Sequence, residues 1–156
     1  MATSTLFKSA TPNILIAVDG STFSEHAMQG GVEMAQKLDA SLILVSVVDI
    51  TDLVGNAAVG GVIDSAALKV YADEAKSVVD ELSKKYPYAK TKKITEEGLP
   101  AETILKLAGT YKADVIVMGT HGRKGLGHLL LGSVAENVVR HSLIPVLVIP
   151  SKKENK

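Results

Sequence analysis

The stretch from Gly119 to Ser133 (GTHGRKGLGHLLLGS) gathers most of the groups in this chain that could hold an anion. Glycine lets a backbone N–H approach a ligand with no Cβ in the way, and successive N–H groups can form an anion-binding nest. Gly132 and Ser133 stand where a helix is expected to open, so free N–H groups and the helix dipole favour phosphate there. Ser133 offers a hydroxyl to phosphate or ribose, and with Glu136 it matches a capping box. Arg123 and Lys124 add positive charge. Asp19-Gly20-Ser21 forms a second set, with an acid able to face phosphate or a metal or to cap its own turn. Better-known phosphate loops do not fit. Gly119 to Lys124 lacks the Gly-Lys-Ser/Thr ending, and in Gly55 to Gly60 the lysine position is taken by Gly61. The dinucleotide Gly-x-Gly-x-x-Gly pattern is absent after the first apolar run.

Other chemistry finds less support. His26, His121, His128 and His141 are the only histidines, none in a recognised metal-ligand spacing, and there is no cysteine. His121 lies within the glycine segment, where it could touch a nucleotide. No nucleophile, base and orienting group stand together, and Ser133 has no base beside it. Asp114 reads as a structural turn residue, and Lys84, Lys85, Lys90, Lys92 and Lys93 read as solvated surface.

These residues must be positioned by the elements around them. Asn13 to Asp19, Ser41 to Val48 and Asp114 to Gly119 are short, continuous apolar runs, as expected for strands buried on both faces. Lys90 to Glu96 is more polar and suits a sheet edge, and Pro145 to Ile149 is a final strand. Helical spacing covers Thr22 to Leu38, with a Thr22/Glu25 capping box, and Asp64 to Tyr86, closed by Pro87. Further helices span Pro100 to about Tyr111 and Ser133 to His141. Asp49 to Gly61, with Gly55, Gly60 and Gly61, is expected to be a mobile connection. This alternation predicts an α/β fold, an open, doubly wound parallel sheet with helices on both faces. In such a sheet ligands lie past the carboxyl ends of the strands.

Length and composition agree. A chain of 156 residues fits a single domain spanning 1–156, with its core at about 13–150. With 17 basic and 17 acidic residues, a general electrostatic grip on nucleic acid or an anionic membrane is not expected. No apolar run reaches the roughly 20 residues of a membrane span, and Met1 to Pro12 lacks the layout of a secretory signal. The expected location is the cytoplasm.

The chain resembles the universal stress protein family. Gly119, two residues, Gly122, nine residues, Gly132 and Ser133 reproduce the spacing of its nucleotide-binding members. Ile14 to Ser21 (ILIAVDGS), Leu130 to Glu136 (LLGSVAE) and Pro145 to Ile149 (PVLVI) match its flanking segments. The resemblance implies a Rossmann-like, adenine nucleotide alpha hydrolase-like fold: five parallel strands in the order 3-2-1-4-5, with Asp19 opposite the glycine loop. It implies ATP or another adenine nucleotide as ligand, with Mg near Asp19. The implied binding set is Ala17, Asp19, Val47, Met118, Gly119, His121, Gly122, Arg123, Gly125, Gly132, Ser133 and Val134, with Val47 meeting adenine through its backbone. It also implies a homodimer through the last strand. With no catalytic base in view, a nucleotide-responsive stress or signalling factor is favoured. The alternatives are a slow ATP hydrolase or phosphotransferase, and a dimeric interaction protein whose nucleotide is structural.

Overall fold

The computed structural model describes residues 7, 10–56, 64–123 and 130–150. Five strands form one parallel sheet: β1 (Asn13–Ala17), β2 (Ser41–Asp49), β3 (Thr91–Gly98), β4 (Val115–Gly119) and β5 (Val146–Ile149). Their order is β3-β2-β1-β4-β5. The helices are α1 (Thr22–Leu38), α2 (Ile50–Asn56), α3 (Ser65–Lys85), α4 (Pro100–Thr110) and α5 (Ser133–His141).

Because side chains alternate across a strand, each buried strand feeds two cores. Ile14, Ile16 and Val18 join Met28 and Val32 of α1 and Val79 and Leu82 of α3 on one face. Leu15 and Ala17 join Ile104 and Leu107 of α4 and Ala135 and Val138 of α5 on the other. This two-sided burial explains the unbroken apolar runs. The edge strand β3, in contrast, exposes Lys92, Lys93 and Thr95.

Three local expectations are corrected. The cap of α1 is Ser21, whose hydroxyl accepts from Ser24 N at 3.2 Å, so Thr22 is the first helical residue and not the cap. Glu25 is thereby released to bind Lys85 and Tyr86 at the far end of α3. Likewise Gly132, not Ser133, is the N-cap of α5, and Glu136 pairs with Arg140 one turn on. The segment after Asp49 is not irregular throughout. Asp49 Oδ1 accepts from Thr51 N at 2.9 Å, and α2 follows, with Leu53 buried. Gly60 and Gly61 lie outside the described residues.

Neighbouring β1 on both sides places the reversal of strand order between β1 and β4. The two strands pair from Ile14↔Val115 to Ile16↔Val117 and then part. A crevice thus opens at their carboxyl ends, where such sheets receive ligands.

Candidate functional site

Asp19 organises this crevice. Its Oδ1 accepts from Ser21 N at 2.9 Å, making the turn that starts α1. Its Oδ2 accepts from Arg123 N at 2.8 Å, across 104 residues of sequence. The acid therefore caps its own turn, as one reading of it expected, and also lies opposite the start of the glycine loop. Charge-assisted bonds of this kind are stronger than neutral ones. Gly20 has φ +82°, a left-handed conformation that favours glycine. Its amide donates to the buried Ser24 hydroxyl at 3.1 Å, and that hydroxyl donates to Ser21 O at 2.9 Å.

The glycines of the motif answer to packing. A Cβ on Gly119 would lie 2.8 Å from the carbonyl carbon and oxygen of Phe23, where α1 crosses β4. A Cβ on Gly122 would lie 2.6 Å from Asp19 Oδ2. A Cβ on Gly132 would lie 3.2 Å from both His121 Cα and Thr120 O, and Gly132 N donates to Thr120 O at 2.7 Å. The Gly132 amide is thus engaged inside the protein. The N-terminus of α5 has no side-chain cap, so the amides that follow Gly132 carry the anion-binding character of its first turn.

The remaining residues sort by face. Ala17 and Met118 are core residues on the α4–α5 face, and Val47 and Val134 pack partly buried against the same cluster. They line that face at strand ends and at the start of α5. His121 goes elsewhere: its ring sits 5.1 Å from that of Phe23, centroid to centroid, and ties the loop to the first turn of α1. Arg123 reaches Glu74 of α3, with Nη1 2.6 Å from Oε1. Ser133 is exposed at the first turn of α5. Lys124, Gly125, Gly127 and His128 lie outside the described residues. His26 and His141 sit on α1 and α5.

Sequence reasoning did not find Glu74, Ser24 or Phe23. Ser24 lies within one turn of the Asp19-Gly20-Ser21 set and could have been read as its partner. Glu74 is one acid among several on α3, and nothing local distinguishes it. Asp114 is structural as expected, accepting from Asn13 N at 2.9 Å.

Among the described residues, no group of three or more His, Cys, Asp or Glu could hold a metal, and no helix is long and apolar enough to cross a membrane. Two shallow hollows of about 480 and 450 Å³ lie around Thr91, near the amino ends of the strands. They are at the end of the sheet opposite the crevice.

Comparison with known proteins agrees with this architecture. The model of the Universal stress protein family matches residues 11–150. The Universal stress protein MJ0531 of Methanocaldococcus jannaschii is 39% identical over 144 residues, spanning 90% of this chain and 83% of that protein. The solved structure of MJ0577 from the same organism superposes with a TM-score of 0.74 at 29% identity, covering 94% of this chain and all of that one. A universal stress protein solved in complex with cAMP superposes at 0.64 with 25% identity, covering 92% of this chain and 100% of that chain.

Proposed function

The chain belongs to the Universal stress protein family, and from that premise we propose that it binds ATP or a related adenine nucleotide at the carboxyl ends of β1 and β4. The observation that carries this reading is the closure of the glycine loop onto Asp19 beside the uncapped N-terminus of α5. Amides there suit phosphate, and the partly buried Val47 and Val134, packed on the core that holds Ala17 and Met118, offer apolar surface to a base. The relative solved with cAMP supports an adenine nucleotide in general. Mg fits as a companion of the phosphates. It keeps several waters and needs few protein ligands, and the Asp19 carboxylate has acceptor capacity beyond its two backbone donors.

The protein acts as a nucleotide-responsive stress or signalling factor rather than an efficient catalyst. Phosphoryl transfer needs a positioned nucleophile as well as charge stabilisation. Among the described residues, Asp19 accepts from two backbone amides and Arg123 pairs with Glu74, and neither stands against a hydroxyl as a base would.

Nucleotide analysis of purified protein after denaturation, with calorimetry of Mg-ATP and cAMP on the stripped protein, tests the proposal. An adenine nucleotide released in near-stoichiometric amount, or micromolar binding, is expected. No released nucleotide together with no heat at millimolar ligand would overturn it.

We also propose a homodimer through the β5 edge. Leu147 on β5 is 37% exposed, Val139 on α5 is 46% exposed and Leu143 between them is fully exposed. An apolar sheet edge invites pairing, and a second copy about a two-fold axis would satisfy both edges.

A further inference from the structure

Arg123 of the glycine loop already has an anion. Arg123 Nη1 lies 2.6 Å from Glu74 Oε1, and Nη2 lies 2.9 Å from where a Cβ on Gly20 would stand. The guanidinium therefore lies across the Asp19-Gly20 turn toward α3. Its backbone root is fixed, because Arg123 N is bound to Asp19 Oδ2. The side chain can change partner without moving the loop. Glu74 comes one residue before Ala75, the first buried residue of α3. Both side chains of the pair are nearly half exposed, at 44% and 46%. Such pairs are weak and exchangeable.

We propose that Glu74 competes with the ligand's phosphates for Arg123, so that the site discriminates nucleotides by phosphate charge. The inference rests on the nucleotide-binding reading above. A polyphosphate presents several anionic oxygens in the fork geometry that a guanidinium prefers, and it outcompetes one carboxylate. A nucleoside has nothing to offer Arg123, so the Arg123–Glu74 pair persists when it binds. The exchange is reciprocal: the ligand that takes Arg123 also frees Glu74, and with it the tie between the loop and the middle of α3.

Calorimetry at fixed ionic strength tests this, with Mg-ATP and adenosine titrated into wild type, Glu74→Gln, Arg123→Gln and the double variant. Glu74→Gln is expected to tighten Mg-ATP about two- to fivefold, the range set by an exposed ion pair, and to leave adenosine unchanged. Arg123→Gln weakens Mg-ATP, and in that background Glu74→Gln has no further effect. A purely structural tie predicts the reverse, with Glu74→Gln loosening the loop and weakening both ligands alike. The inference is overturned by unchanged or weaker ATP binding in Glu74→Gln, by an equal gain for adenosine, or by a gain that survives in Arg123→Gln. Wild type that binds no Mg-ATP overturns the nucleotide reading itself, a result distinct from binding that ignores Glu74.

Discussion

A single carboxylate holds the two halves of the crevice together. Asp19→Ala removes the acceptor of Ser21 N and Arg123 N at once. Both donors lie near the surface, where water replaces part of what is lost, so a stability loss of about 1–2 kcal/mol is expected. The larger effect falls on binding. With the loop no longer tied to β1, affinity for Mg-ATP should drop at least about tenfold, the equivalent of one lost charge-assisted bond. Calorimetry on the folded variant measures it, and unchanged affinity would remove Asp19 from the site. Glycines offer a matched pair of substitutions. Gly119→Ala drives a Cβ against the backbone of Phe23, which cannot rotate away, and should cost about 1–3 kcal/mol in denaturant unfolding. Gly109→Ala, on the exposed side of α4 with nothing within 4 Å, should stabilise by about 0.4–1 kcal/mol. Equal effects at the two positions would show that packing is not what selects glycine at 119.

At the scale of elements, α3 is tied twice to the head of the sheet and to α1, once at its middle and once at its C-terminal end. Arg123 bridges the loop at the head of α1 to Glu74 in the middle of α3, and Glu25 of α1 binds Lys85 and Tyr86 at its end. The Lys85 ammonium and the Tyr86 hydroxyl, which donates at 2.9 Å, hold the Glu25 carboxyl below its ordinary value of 4.5. A carboxylate with a depressed folded-state pKa stabilises the fold fully above 4.5, and the contribution is lost as pH falls through the lower folded value. Glu25→Gln should therefore lower Tm at pH 7 by about 1–3 °C, a range already discounted for the partial exposure of the pair. The difference from wild type should shrink as pH falls below 4.5. Thermal scans across pH 3 to 7 check this, and a difference independent of pH would assign the effect to packing.

For the whole molecule, the sheet has two unlike edges. β3 carries lysines and glutamates, whose charge discourages pairing with another strand. β5 is short and apolar, next to the exposed Leu143 and Val139. Light scattering at micromolar concentration should give the mass of a dimer. Leu143→Glu with Leu147→Lys should give a folded monomer, because both side chains are exposed in the isolated chain and their replacement leaves its core intact. A wild-type monomer, or a double variant that still dimerises, would defeat the interface. The choice of residues follows the structure. Val146, an obvious candidate by sequence, packs against the core on the α4–α5 face, so changing it would confound folding with association.

The sequence by itself determined what depends on neighbours along the chain. Apolar periodicity fixed α1 and α5 to the residue and the strands to within a few residues, because two-sided burial needs continuous apolar runs. Glycine spacing and the Asp19 turn marked the crevice, because few residue types let a backbone bend or approach so closely. The strand order came from the family resemblance, since periodicity does not say which strands lie side by side. Tertiary structure alone decided which atoms meet. It moved the caps from Thr22 to Ser21 and from Ser133 to Gly132. It turned part of the connection after Asp49 into α2 and gave Gly119 and Gly132 a packing reason for their missing Cβ. It also paired Arg123 with an acid 49 residues away in sequence. A hydrogen bond or a clash is settled within a few tenths of an ångström, and for residues so far apart in the chain that distance exists only once the sheet and its helices have packed.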